Sequence, residues 1–456
     1  MKRKIYLAII LLCITYAVRS QFVPVDINFQ DPPYGHYPEF ISIIDESNVW
    51  LGTKSDVLYP YSVHSHDGGS TWEFDSIPAP GDPIISGMYA IDGNTCFYVF
   101  TDYWSGGSIW KTSNRGESWE DKTGALFSEP GAFANFYGAF DANEGVAMGD
   151  PTLGYFEIQR TTDGGDTWHR VDQSAIPAML PGEMGAANVF SIVGDMIWFP
   201  TLIPDENGTY SSRCFKSIDR GQHWTVSSVL AENLNWVAID FSTSQKGVLL
   251  DQYPVNGSNK KPLYRTSDGG ETWTMDTVSV DLKSWSGLSS VDGFDGGFVF
   301  AANDLNGYST SIHFTPDFFS TIIVIDSNLE AIPFGIKFKE ASTGWLEGTG
   351  SDNSALFKYN GLLTSIFKVA ESPEQLAILP NPSSTEALVK LPGMHAYDEC
   401  TIMIYDYAGK LCESRSVESS AGWLKLNASD YNSGVYVVKV VSGSHLIASA
   451  KWVVKH

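Results

Sequence analysis

Apolar and polar positions along the chain fall into a pattern that repeats about every fifty residues. Each unit offers three strand-like runs, a compact polar turn and a fourth run. The first run often closes on an aspartate: ISIID at Asp45, YAID at Asp92, YGAFD at Asp141, WVAID at Asp240 and LSSVD at Asp292. The second is strongly apolar, as in VWLG, CFYVF, GVAMG, MIWFP, GVLL, GFVF and GWLEG. The third leads into the turn through SIWKT, FEIQR, RCFKS, PLYRT and SIHFT. Counting second runs gives seven units.

The turn itself is a motif, Ser/Thr-x-Asp/Asn-x-Gly-x-x-Trp. It runs from Ser65 to Trp72, Thr112 to Trp119, Thr161 to Trp168, Ser217 to Trp224 and Thr266 to Trp273. Its polar centre recurs at Asp67, Asn114, Asp163, Asp219 and Asp268, in steps of 47, 49, 56 and 49 residues. A sixth, degenerate copy sits at Asp317, with Phe319 in place of the glycine and Ile322 in place of the tryptophan. The seventh unit, Phe334 to Val369, has KYNG at Lys358 to Gly361 instead. The hydroxyl and the carboxylate can bind turn backbone groups. Glycine takes the positive φ of a tight turn. Tryptophan covers the turn with a large apolar face. These residues are hairpin staples. As calcium ligands they supply too few oxygens per copy.

Four antiparallel strands, repeated seven times, predict an all-β chain built as a seven-bladed β-propeller. The run FVPVDINF at Phe22 to Phe29 is expected to complete the last blade and close the ring. A β-solenoid is the rival arrangement, but its repeats are usually shorter and lack such a staple. The staples resemble the Asp-box, or bacterial neuraminidase repeat. The ring, residues 21–370, resembles propellers of photosystem-assembly and plant-stability factors, sialidases, sortilin-type receptors and xyloglucan-cleaving hydrolases. That likeness implies architecture and leaves activity open, because the fold hosts many functions.

The two ends of the chain read differently. Lys2, Arg3 and Lys4 precede an apolar run from Ile5 to Val18, with small residues before Gln21. Residues 1–20 are therefore expected to be a cleaved secretory signal peptide. The run falls short of the ~20 residues of a membrane span, and no later segment is expected to cross. Residues 371–375 read as a linker. Residues 376–456 read as a small β-sandwich with seven acidic and seven basic residues. This tail resembles the C-terminal sorting domain of type IX secretion substrates of the Bacteroidetes. The matching pieces are LPNPSS at Leu379 to Ser384, IYDYAGK at Ile404 to Lys410 and NSGVYVVKV at Asn432 to Val440. The resemblance implies the type IX machinery as a partner and a secreted or outer-membrane cell-surface location. In that family the tail is usually removed.

Charge narrows the partners. The 29 basic and 53 acidic residues give a net charge of −24, which argues against nucleic acid. Of the five cysteines, Cys96 and Cys214 are expected to be buried thiols, and Cys400 and Cys412 flank a predicted hairpin where they could pair. None of the nine histidines falls in a metal-ligand spacing, so no metal and no cofactor is expected.

In propellers of this strand order the staples mark one end, and ligands usually meet the other. The candidate ligand-binding residues are therefore Asp102, Tyr103, Trp104, Asp150, Trp236, Asp251, Tyr253, Trp285 and Asp304. Aromatic rings stack on sugars and carboxylates accept hydroxyl hydrogens, so the set suits a glycan; it also suits a basic protein surface. No catalytic residue is assigned. A sialidase would need three free arginines, yet four of the six in the ring, Arg115, Arg160, Arg220 and Arg265, lie in or just before staples, leaving only Arg170 and Arg213. The expectation is an exported, non-enzymatic propeller that binds a glycan or protein partner. The alternative is a glycoside hydrolase of the xyloglucan-cleaving type, acting through a carboxylate pair. A scaffold or assembly role is a third reading.

Overall fold

The computed structural model describes residues 20–456 except 28–35, 56–59, 82, 103–105, 125, 130–131, 235, 252–262, 277–283, 304–309, 330, 351–355, 365–373, 391–398, 407–409, 419–422 and 443–444. The expected signal peptide lies outside the described residues. The fold is all-β; its helical content among the described residues is two 3-10 turns, Gln173–Ala175 and Ala428–Asp430.

Among the described residues seven sheets precede the tail, each built on antiparallel neighbours. Sheet one shows the plan: His36–Ile43, Val49–Ser55, Tyr61–Ser65 and Glu73–Ser76, paired in chain order. Sheets two, three, five and six repeat it. Sheet four is larger, with seven strands around Met196–Pro204, which accounts for the long step before Asp219. Sheet seven takes Ala331–Glu340, Thr343–Gly350 and Leu356–Tyr359 from the end of the ring and Phe22–Val25 from its start. The expected closing strand is thus in place, with Phe22 opposite Tyr359 and Val25 opposite Leu356. Asp326 of sheet six secures it, accepting from the Gln21 backbone N–H at 2.7 Å and the Ser20 hydroxyl at 2.6 Å.

A ring follows from where the apolar side chains go. A propeller sheet is buried on both faces, so its second strand can be continuously apolar. Seven core clusters each lie between two successive sheets. The last joins Trp345 and Leu356 of sheet seven to Val49, Leu51 and Val63 of sheet one. There Trp72 meets Trp345 edge to face, with ring centroids 5.9 Å apart. The sheets therefore close as a β-propeller.

The tail packs a five-stranded sheet on a three-stranded one around Ile402, Ile404, Val438 and Trp452. Its LPNPSS segment is stitched to the final strand. Ser383 is buried, accepts from the Trp452 indole at 2.6 Å and donates its N–H to the Val453 carbonyl at 2.9 Å. The cysteine pairing fails on register. Cys400 lies opposite Val417, five residues from Cys412, which is about 17 Å along a strand. Cys412 is a free, exposed thiol, and Cys96 and Cys214 are buried and free.

Candidate functional site

Every staple joins two paired strands of its sheet, the third and fourth in the four-stranded sheets and Cys214–Ser217 with Thr225–Val226 in sheet four. In sheet three Thr161 Oγ1 donates to Asp163 at 2.9 Å and accepts from Gly165 N–H at 2.8 Å, while Asp163 accepts from Thr167 N–H at 2.8 Å. The same bonds recur at Ser65–Asp67, Thr112–Asn114, Ser217–Asp219 and Thr266–Asp268. The degenerate copy keeps them too, with Thr321 N–H on Asp317 at 2.7 Å. It does so with Phe318 at φ 57° and Phe319 at φ 65°, the left-handed region that glycine favours. Phe319 stacks on Phe298 and Phe300, so aromatic cover has moved from the tryptophan position into the turn itself.

A cation just before the staple reaches the next sheet. Lys111 Nζ donates to the Gly164 carbonyl at 2.7 Å, Arg160 to Arg220 at 2.8 Å, Arg265 to Phe318 at 2.6 Å, and Lys358 to Gly68 at 2.6 Å across the closure. Lys216 instead pairs with Glu271 of the following staple. The arginine arithmetic of the sequence thus has a structural cause. Arg160 and Arg265 bind sheets together. Arg213 forms a buried bidentate pair with Glu183, and Arg170 donates to Thr152 at 2.9 Å over the Tyr155 ring.

The connections between second and third strands lie at the opposite end, the loop end. Tyr103, Trp104, Tyr253 and Asp304 fall outside the described residues. Asp102 ends Cys96–Asp102, and Trp285 lies in Ser284–Ser290. Asp150, Trp236 and Asp251 are described fully, and they differ from a solvated rim. Asp150 Oδ1 accepts from Asn135 Nδ2 at 2.9 Å and from Gly185 N–H of sheet four at 2.7 Å. Burial raises its pKa, with those two bonds opposing. Asp251 is only 2% exposed and accepts from Trp236 N–H at 3.2 Å. Trp236 is half-buried against the core shared by sheets four and five. The two carboxylates belong to sheets three and five, with sheet four between them. Both accept from the ring's own backbone, Asp150 across to sheet four and Asp251 within sheet five.

Two features escaped the sequence reading. Glu347 stands in the middle of the second strand of sheet seven, where other sheets carry apolar residues or glycine. It is 3% exposed, its Oε1 has no hydrogen-bond partner, and burial raises its pKa to about 8, with Lys337 opposing. The signal was the lone carboxylate in GWLEG. The second is the group His64, His66 and Glu73, whose nitrogen and carboxylate atoms lie within 4.8 Å of one another. Spacing along the chain hid it, because Glu73 faces His64 across two paired strands. A cleft of about 290 Å³ also opens beside the staple of sheet three, lined by Asp121, Lys122, Gln159, Asp166 and Trp168.

Residues 377–455 match the secretion system C-terminal sorting domain family. The protein therefore takes the type IX secretion route to the cell surface or extracellular space. No helix among the described residues is long and apolar enough to cross a membrane. No curated protein matches the chain. Among solved structures, the chain is similar to YCF48 bound to D1 peptide, at 16% identity and a TM-score of 0.52, over 76% of this chain and 98% of that one. It is similar to YCF48 from Cyanidioschyzon merolae at 14% identity and a TM-score of 0.50, over 74% and 98% of the two chains. A xyloglucanase from Xanthomonas campestris follows at 12% identity and a TM-score of 0.44, over 90% and 65%. At these identities the two YCF48 structures speak to the fold alone, a β-propeller.

Proposed function

We propose that this chain is an exported, non-enzymatic Asp-box propeller whose seven sheets are its blades. Its loop end binds a partner, and the sorting domain delivers the ring across the outer membrane. The observation that carries this reading is the commitment of Asp150 and Asp251 to the ring's own backbone. A glycosidase needs two carboxyl groups roughly 5–10 Å apart across an open cleft; here Asp150 accepts from the backbone of sheet four and Asp251 from the backbone of its own sheet five. A protein or peptide partner is favoured over a glycan. The structurally similar YCF48 is bound to a peptide, and the acidic ring suits a basic segment. The experiment is capture by the immobilised ring, wild type against Trp236→Ala, alongside a glycan array and an oligosaccharide hydrolysis assay. Stoichiometric retention of one protein, weakened by Trp236→Ala, supports the reading. Binding confined to glycans overturns the choice of a protein ligand, and sugar release overturns the non-enzymatic assignment.

A further inference from the structure

We propose that His64, His66 and Glu73 form a binding site for one divalent transition-metal ion of borderline softness, zinc above all, at the staple end of sheet one. His64 is 0% exposed, and neither ring nitrogen has a hydrogen-bond partner. Buried polar atoms are nearly always paired, so an orphan imidazole calls for a missing partner. Its Nε2 lies 3.3 Å from Glu73 Oε2. For metal bonds of 2.0–2.1 Å, two ligands of a tetrahedral zinc are about 3.3 Å apart.

The second imidazole is prepared by its neighbours. Both carboxylate oxygens of Asp45 accept from Asn48 Nδ2, at 3.0 and 2.9 Å, so Asn48 turns its carbonyl oxygen outward. That oxygen lies 2.8 Å from His66 Nδ1, which must therefore donate. The proton sits on Nδ1, leaving Nε2 with a lone pair, buried and unpartnered. An outer hydrogen bond that fixes the tautomer is the usual support of a metal-binding histidine. Asp75 Oδ2 stands 3.8 Å from His64 Nδ1, on the side away from Glu73.

The backbone explains the convergence. His64 and His66 are two residues apart and so share one side of the strand. Glu73 is directly opposite His64 in the pairing of Tyr61–Ser65 with Glu73–Ser76. Trp50 stacks on the His64 ring at 4.4 Å and fixes its plane. Glu73 is 63% exposed, so its side chain can swing onto an ion and leaves the fourth position open to water or another ligand. Position also singles out the site. His64 occupies the slot in which Lys111, Arg160, Lys216, Arg265 and Lys358 reach the next sheet, and no such bond forms here. Asp45, Asp67, Glu73 and Asp75 supply negative charge around it, opposed by Arg115.

The test uses tag-free mature protein stripped with chelator. Zinc is titrated by calorimetry and cobalt by visible absorption. The expected result is one ion per chain, tetrahedral d–d bands with cobalt, and a melting temperature that rises with zinc. His66→Ala and Glu73→Gln should each weaken binding at least tenfold while melting like the wild type without metal. Both side chains reach the surface, so neither variant should unfold the sheet. No saturable site at one equivalent, or unchanged affinity in both variants, overturns the proposal. Several equivalents bound equally by wild type and variants do the same, since they report scattered surface carboxylates.

Discussion

The two ends of the ring are held by different chemistry. At the staple end one solution recurs: in six of the sheets a hydroxyl and a carboxylate or carboxamide close the turn, and in five junctions a cation ties one sheet to the following staple. At the loop end, among the described residues, no such bond recurs from sheet to sheet. Asp150 joins sheets three and four, Asp251 holds Trp236, and Glu183 with Arg213 fills the interior of sheet four. The repeated end works locally, residue by residue along one hairpin. The other end depends on how particular sheets meet.

The largest effect should come from the buried pair at the irregular end. Glu183 accepts from the Arg213 guanidinium, from Thr201 Oγ1 at 2.6 Å and from Leu180 N–H at 2.7 Å. Arg213→Met leaves that carboxylate buried without its cation, and we expect a loss of about 3–5 kcal/mol in urea unfolding. Glu183→Gln combined with Arg213→Met should recover much of it. If the single variant unfolds like the wild type, the loop end is not braced by this pair.

Glu347 gives the next largest effect, and it sharpens the contrast through pH. Its carboxyl is raised from 4.5 to about 8 in the folded ring by burial. The folded state therefore holds a proton that the unfolded chain releases. This group's contribution to stability should be full below pH 4.5 and fall as pH rises to 8, by on the order of 4 kcal/mol. Glu347→Gln should flatten that slope and be the more stable protein at pH 8. An unchanged slope would mean the carboxyl reaches water.

Ring closure comes third. Asp326→Asn weakens the acceptor for Gln21 N–H and Ser20 Oγ, and we expect a loss of about 1–2 kcal/mol. Cleavage before Gln21, as the leader pattern predicts, removes Ser20 and its bond but turns the Gln21 donor into an ammonium and the remaining bond into an ion pair. The variant should then cost the mature chain more than a chain that retains its leader. Equal losses would place the mature start elsewhere.

Most of the ring was legible because each device is written within one hairpin. The Ser/Thr, Asp and Gly of a staple are bonded to residues two to four positions away, so their linear spacing is their geometry. The apolar second strands were equally plain. What was hidden involves a second strand or a second sheet. Asp150 and Asp251 look like rim carboxylates until the backbone N–H groups they bind are located. His64 and Glu73 are nine positions apart and meet only through strand register. Cys400 and Cys412 failed for the same reason in reverse, being close in sequence and far apart across the hairpin.

The smallest effect should be a staple substitution that chemistry predicts to be mild. Hydrogen bonds from the Thr167 hydroxyl and backbone hold the Asp163 carboxyl down at about 2, below its ordinary 3.8. Ionised, it accepts from Thr167 on both oxygens. Asn114 fills the same position in sheet two, accepting from Ser118 N–H at 3.1 Å and donating to the Ser118 hydroxyl at 2.9 Å. A carboxamide therefore makes both bonds by reversing the hydroxyl. Asp163→Asn should melt within error of the wild type at neutral pH. The difference should appear only in acid. A lowered carboxyl contributes stability that is present above pH 3.8 and is lost as pH falls towards 2, so the wild type should lose stability through that window and the variant should not. A large loss at neutral pH would show that charge, beyond hydrogen bonding, holds the staple. The repeated end would then resemble the other end more closely than its bonds suggest.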